Sequence, residues 1–514
     1  MQRSIAASGL LLLVLATAAC QNTAPPPVPK DQFTGLFRNM ADCRDDYAKI
    51  DAMVAKAGVG NAAYHRVPGY PYLRTDRLTA SFIDEVDSFA EINGWVRRMR
   101  ELDQEAREFE YMNLGLSLRE RANYRDRMLN CGKTLAALEI NSPEKLERVK
   151  AAITLRDGYS ETQRALGLYP ALVPLIKARL SDQQTQIKAR HQGTIAEIPS
   201  DQPLTLWKPK NQHDPGLIPV PLDTQFTDEL GVPGLTTSGW KALVEVHAPD
   251  LWIETGDNAD KFGMPHWTQS GLAVDTGEPV VFYHIDYTRF GGEVLVQLNY
   301  FLWFAGGEQV ESGAAIDGIV WRVTLDRNGK ALVYDSMHTS GRDHRWYPVQ
   351  ALQRRSVDSY WQQAPFFPSD SPAPDSALLR IGTGSHKLQG VAEKNVVETQ
   401  NNKQYALVRY ENLLALPLPG GGTRSLFDSN GQIRSTRIND PIWLWSSGVP
   451  APGALRQYGH HTTSYIGREY FDDPRLLEKV FQAETGTAQS QALDQSSDTA
   501  RRLSPHQNNW ARHH

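Results

Sequence analysis

The sequence predicts an α+β protein: an N-terminal domain of antiparallel helices, then a mainly antiparallel β-rich domain folded as a curled sheet or an open barrel. Three observations carry this. Up to about residue 195 apolar residues recur every three or four positions. From about residue 241 they alternate, or run together in short stretches bounded by turn residues. Between the two lies a stretch rich in Pro, Asp, Gly and Thr without any period.

The helical domain is expected over residues 31–195. Ile83, Val86, Phe89, Ile92, Val96, Met99, Leu102, Ala106 and Phe109 form one apolar stripe with charges between them, which predicts a single long amphipathic helix. Ser142-Pro143-Glu144 supplies an N-cap, a proline for the first turn and an acid that suits the helix dipole. Ser160 with Gln163 reads as a capping box, and Tyr169-Pro170 opens a helix through Leu172, Leu175, Ile176 and Leu180. Short connections between such helices make them antiparallel neighbours. Residues 196–240 then read as an irregular linker, or as a layer covering the next domain.

The β-rich domain is expected over residues 241–482. Pro279 to Thr288 alternates, with Val280, Phe282, His284 and Asp286 on one face and Val281, Tyr283, Ile285 and Tyr287 on the other. Phe290-Gly291-Gly292 turns the chain into Glu293 to Phe304, apolar on both faces and therefore central. Asn328-Gly329 and Asn430-Gly431 each sit between apolar runs and predict hairpins, because both residues accept positive φ. A short helix is expected around Arg475 to Phe481. The Gln/Ser-rich tail, residues 483–514, predicts disorder.

The first nineteen residues read as an export signal: Arg3, an apolar stretch from Ile5 to Ala19, then small residues. The stretch is too short to span a bilayer, which takes roughly 18 uncharged residues or more. Thr17-Ala18-Ala19-Cys20 resembles a bacterial lipoprotein signal, although Thr17 stands where that pattern prefers leucine. The resemblance implies lipidation of Cys20, and Gln21 in place of aspartate implies transfer to the outer membrane, facing the periplasm. Residues 20–30 would then be a proline-rich spacer, extended at about 3.1 Å per residue. The first partner implied is the membrane itself, through the lipid anchor.

Lys and Arg number 54 against 59 Asp and Glu, a net charge of −5, which argues against nucleic acid as a partner. The richest basic stretch, Arg119 to Arg127, is interleaved with acids as on a solvated helix face. With Cys20 lipidated, Cys43 and Cys131 remain, both in the helical region of an exported chain; they are expected to form a disulfide between two helices.

Chemistry is most concentrated in Asp335-Ser-Met-His338 and Asp343-His344, where a strand runs into a loop. His338, His344 and Asp343 are the candidate catalytic residues. His284, Asp286, His338 and His344 are the candidate metal ligands, a nitrogen and oxygen set suited to zinc and an activated water. The competing reading makes them strand-end residues with hydrogen-bonded rings. Arg456, His460 and Arg468 form a second candidate site, for an anionic ligand. Ser336 and Ser385 lack the Gly-x-Ser-x-Gly context of a nucleophile elbow. Trp303 and Trp321 lie in apolar strands and read as core.

Gln297 to Phe304, Trp321 to Leu325 and Tyr334-Asp-Ser-Met-His338 resemble a group of uncharacterised proteobacterial proteins. In these a Tyr-Asp-Ser-Ile-His segment is followed by Cys-Gly-Cys and a further histidine. The resemblance brings no activity. This chain has Ser340 and Arg342 at the cysteine positions, so any metal or redox chemistry of those cysteines is lost here. The sequence therefore favours a lipid-anchored cell-envelope protein with a non-catalytic binding or assembly role and an envelope protein as partner. The alternative is a metal- or His-dependent hydrolase acting on envelope material.

Overall fold

A computed structural model describes residues 30–190, 194–211, 222, 226–306, 316–357, 359–397, 402–437 and 442–482. The export signal, Cys20, the spacer up to residue 29 and the tail from residue 483 lie outside the described residues. In chain order the helices are α1 (Lys30–Ala57), α2 (Arg77–Ala80), α3 (Phe89–Asn113), α4 (Leu118–Glu139), α5 (Pro143–Ala152), α6 (Glu161–Leu166), α7 (Tyr169–Arg190), α8 (Thr237–His247), α9 (Ile442–Trp445) and α10 (Leu476–Val480). The strands are β1 (His65–Val67), β2 (Tyr70–Thr75), β3 (Leu204–Pro209), β4 (Asp250–Glu254), β5 (Met264–Thr268), β6 (Gly271–Asp275), β7 (Val280–Phe290), β8 (Glu293–Phe304), β9 (Asp317–Leu325), β10 (Ala331–His338), β11 (Arg345–Pro348), β12 (Ala377–Ile381), β13 (Leu388–Glu393), β14 (Asn402–Arg409), β15 (Leu416–Pro417) and β16 (Thr423–Arg424). No described helix is long and apolar enough to cross a membrane.

Caps decide where the helices begin. Ser142 accepts from Lys145 N and Ser160 from Gln163 N, as their spacing predicts. The stripe from Ile83 to Phe109 is not one helix. Ser88 and Glu91 close a full capping box, so α3 starts at Phe89, and Ile83 and Val86 precede it in turns. Each bond of that box satisfies a backbone N–H that an uninterrupted helix would have paired internally.

A β1–β2 hairpin, which helical periodicity does not reveal, is set among these helices. It is held by a chain of buried charges. Arg74 of β2 pairs with Asp103 at 3.0 Å and Glu110 at 2.9 Å, both on α3. Arg107 bridges Asp103 and Asp51 of α1, each at 2.8 Å. Arg74 and Glu110 are fully buried, so removing either partner would strand a charge without water.

The main sheet has ten strands in the order β11-β10-β9-β8-β7-β14-β3-β4-β12-β13. Six of its nine pairings are antiparallel, and β14–β7, β14–β3 and β4–β12 are parallel. The sheet is mixed and curls into a half-barrel. One core unites Leu251, Ile253, Leu379 and Ile381 from one end with Leu298, Trp321 and Tyr347 from the other. Leu243 of α8 fills the same core. Arg345 Nη1 of β11 donates to Leu388 O of β13 at 2.5 Å, so the two edge strands nearly meet.

β3 comes from the stretch expected to be a linker; Leu206 and the Trp207 ring there pack like any sheet residue. The turns at Gly291-Gly292 and Asn328-Gly329 join β7 to β8 and β9 to β10. Asn430-Gly431 also forms a turn, closed by Gly431 N to Asp428 O at 2.8 Å, but its flanks do not pair as a two-stranded hairpin. Gln432 bridges instead to Arg456.

Cys43 and Cys131 form a disulfide that ties α1 to α4 across a sequence separation of 88. A loop of that size gives about 4–5 kcal/mol on the chain-entropy relation. Replacing both cysteines by serine is expected to lower unfolding free energy by about 2–5 kcal/mol. Denaturant titration of oxidised protein beside the variant checks this, and coincident curves would refute it.

Candidate functional site

Where β14 ends, a cleft begins. Its first half, Asn402 to Tyr405, pairs with β3, and its second half, Ala406 to Arg409, pairs with β7 only as far as Tyr283. The chain then leaves as a 3-10 turn, Tyr410–Ala415. Beyond Tyr283 the edge of β7 therefore faces α2, α3 and α8 across a cleft of about 490 Å³. The helices contribute Arg77, Arg98, Glu105 and Trp240, β1 contributes His65, and the loops contribute Tyr64, Tyr458 and Asp472.

His284 and Asp286 stand two residues apart on β7 and so share a face. His284 Nδ1 meets Glu411 Oε1 at 2.9 Å, and Arg409 Nε donates to Glu411 Oε2 at 2.9 Å. The imidazole lies 4.6 Å from the ring of Tyr458, whose hydroxyl donates to Asp286 Oδ2. Tyr458 N in turn donates to Tyr410 Oη at 2.9 Å, which fixes the loop against the sheet. Asp472 takes Arg77 Nε at 3.3 Å, and Arg77 stacks on Tyr470.

These contacts separate the ionisable groups into two sets. Burial disfavours charge on His284, yet its bond to the Glu411 carboxylate holds it above the ordinary imidazole value. Burial would raise Glu411, but His284 and Arg409 pull it down to about 2. Asp286 goes the other way: burial raises it, and the charge of His284 offsets only part of this. Burial also raises Asp472, to about 6, with Asp286 adding to the shift and Arg77 opposing it. The cleft thus holds the His284–Glu411 ion pair and three carboxyls raised above their ordinary values, Asp286, Asp472 and Glu105, the last by burial with Glu411 adding to the shift, a pattern expected of acid–base groups.

The four residues expected to bind a metal do not meet. His284 and Asp286 lie opposite Asn299 and Gln297, on the face that carries Phe282, Phe301, Val320 and Met337. His338 follows Met337 and projects from the other face. There His338 Nε2 bonds Asp317 Oδ1 at 2.6 Å, and Asp317 Oδ2 bonds His386 Nδ1 at 3.0 Å. His344 is on the cleft side of the sheet but three strands away, buried between Asp335 at 2.7 Å and Glu469 at 3.5 Å. Among the described residues no group of three or more His, Cys, Asp or Glu side chains is arranged to hold a metal ion.

The expected catalytic set fails for the same reason. Asp343 pairs with Arg345, and with His338 it borders a cavity of only about 10 Å³, room for a water at most. Ser340 Oγ does meet His338 Nδ1 at 2.7 Å, but it is buried and also receives Arg342 Nε at 3.0 Å. Of the third set, Arg456 and His460 line a second cavity that borders the cleft at Arg77 and Gly459, while Arg468 is held outside by Asp157 and Glu161.

Sequence reasoning missed Glu411, Tyr458 and Arg77 altogether. No motif marks them, because a 3-10 turn, a late loop and a short helix each supply one of them, far in sequence from His284 and Asp286 on β7. Compared with protein-family models, curated proteins and solved structures, the chain has no match.

Burial holds His65, His247 and His460 down at about 4, below the ordinary 6.5. Their folded values are depressed, so the unfolded chain binds more protons between pH 4 and 6.5, and stability falls on acidification through that window. Asp472 acts oppositely: its value is raised from 3.8 to about 6, so its ionisation costs stability as pH rises through that range. Asp472→Asn is accordingly expected to be more stable than the parent at pH 7.5, by about 1–3 kcal/mol, and to converge with it near pH 4. Urea unfolding at the two pH values reads this directly. A variant that is weaker at pH 7.5 would mean that the Arg77 pair outweighs the burial.

Proposed function

We propose that this is a lipid-anchored envelope hydrolase whose cleft performs metal-independent acid–base hydrolysis of a carbohydrate-like substrate. The observation that carries the reading is the two aspartates with raised values, Asp286 and Asp472, that face one cleft beside the His284–Glu411 ion pair, with Glu105, also raised by burial, on the same wall. In such a hydrolysis one carboxyl gives its proton to the leaving oxygen, and the other, ionised, takes a proton from the attacking water. Asp286 and Asp472 fill these roles between them. Tyr458 orients Asp286, and His284, whose protonated form the Glu411 carboxylate favours, limits how far the carboxyl of Asp286 is raised.

The walls suit a ring-shaped polar substrate. Tyr64, Trp240, Tyr283 and Tyr287 present aromatic surface, and Arg98, Lys241 and Glu105 present hydrogen-bonding groups. The anchor supports the setting: acylation at Cys20 would hold the body on the outer membrane, where envelope glycans are within reach.

Turnover of soluble envelope glycan fragments is expected to change steeply around pH 6, where Asp472 titrates. Asp286→Asn and Asp472→Asn are each expected to lower kcat/KM by about a hundredfold or more while still binding the fragments. Fragments that bind the parent without turnover at any pH would replace this reading with a purely binding role. Labelled fatty acid is expected to enter the parent and not Cys20→Ser, and a parent that takes up no label would remove the lipid anchor.

A further inference from the structure

Behind Arg77 lies a second cavity, of about 400 Å³, bordered by Arg77, Arg156, Arg437, Arg456 and His460. We infer that this cavity binds a phosphate group, with Arg156 and Arg437 as its principal ligands. Among the described residues that border it, four arginines face one acid, Asp157, which is already engaged by Arg468 and by the hydroxyl of Tyr470. Arg156 Nη2 holds only a neutral oxygen here, Asn430 Oδ1 at 2.6 Å. Arg437 gives Nη2 to Asp428 at 2.7 Å and Nε to Gln432 at 2.8 Å. Arg456 Nη2 is turned to the carbonyls of Pro450 and Ala451, at 2.7 and 3.0 Å. Guanidinium groups match the oxygens of a phosphate in pairs, and four of them border this one cavity.

The neighbouring histidines register the same field. His65 and His460, 6.3 Å apart ring to ring, are kept neutral first by burial and then by the arginines around them. The turn at Asn430-Gly431 shapes the wall. Gly431 has φ +68, and a Cβ there would come within 2.5 Å of the His460 ring. Glycine therefore lets the turn close over His460 while Asn430 steers Arg156.

Arg77 and Gly459 border both cavities. A ligand anchored here by its phosphate would extend past Arg77 towards Asp472. That link, unlike the phosphate site itself, rests on the acid–base reading of the cleft.

The test is calorimetric titration of the full mature chain carrying Cys20→Ser with inorganic phosphate, with glucose 6-phosphate, and with phosphatidylglycerol vesicles. Saturable binding of either soluble phosphate is expected, and it should weaken about tenfold or more in Arg156→Glu and in Arg437→Ala. Arg156 is exposed, so its variant should melt with the parent. Arg434→Ala, a neighbouring exposed arginine off the cavity wall, should bind normally. Binding of the vesicles alone, with the same loss in both variants, would identify the phosphate as a lipid headgroup. No binding of any probe at about 10 mM phosphate, or unchanged binding in both variants, would overturn the site. Asp286→Asn should bind phosphate like the parent even if no hydrolysis is ever found. Loss of binding in that variant would move the anion into the acid–base cleft and overturn this assignment.

Discussion

The backbone pairing of β14 is the constraint on which the rest of the architecture depends. This strand divides its eight residues between two neighbours, four to β3 and four to β7, and so splices the antiparallel meander β7–β11 to the strands β3, β4, β12 and β13. Both junctions are parallel, which requires long excursions of chain between the paired strands. The core common to both halves follows from this splice, since only a joined sheet can curl its two ends towards one another. The cleft follows from it too. Because β14 gives half its length to β3, it runs out at Tyr283, and the outer part of β7 is left to face the helices.

Charge within the molecule is organised by the same logic of burial. Arg74, Arg107, Arg322 and Arg380 are among the largest fully buried side chains, and each is matched by carboxylates within about 3 Å. Such pairs gain little over an apolar core of equal volume, but a missing partner is costly, so they fix which surfaces can meet. The cleft departs from this rule. Glu411 is matched twice, by His284 and Arg409, whereas Asp286 has a tyrosine hydroxyl and Asp472 a single longer contact to Arg77. Burial without full compensation raises these carboxyls, and that distinguishes them from the structural ion pairs around the site.

On the other face of the sheet, histidines serve as struts. His386 stacks on Phe304 at 4.0 Å and links Asp260 to Asp317, and Asp317 passes the connection to His338. The chain of contacts joins the loop before β13 to β9 and the end of β10, near where the curl almost closes. On the cleft side, Arg322, Asp335, His344 and Glu469 form a comparable run across the strands. The histidines that stand out in the sequence as a cluster are therefore divided between two struts and one cleft.

Many local rules were legible in the sequence and held, although the stripe from Ile83 breaks at Ser88 and the flanks of Asn430-Gly431 do not pair. Helix starts at Ser142 and Ser160, the turns at Gly291-Gly292 and Asn328-Gly329, the two faces of β7 and the Cys43–Cys131 disulfide depend on a few adjacent residues or on residue type and spacing. The α+β class follows from periodicity alone. What only the tertiary structure decided depends on partners far away in the chain. Periodicity cannot reveal that β3 leaves an apparent linker to enter the sheet, because its neighbours β4 and β14 lie about 40 and 200 residues further on. Nor can it bring Glu411 to His284 or Asp472 to Arg77. His284 and Asp286 were visible as a pair because a strand places i and i+2 on one face. His338 was wrongly joined to them because one residue of parity, which sends it to the opposite face, is set by pairing across four strands and not by its own neighbours.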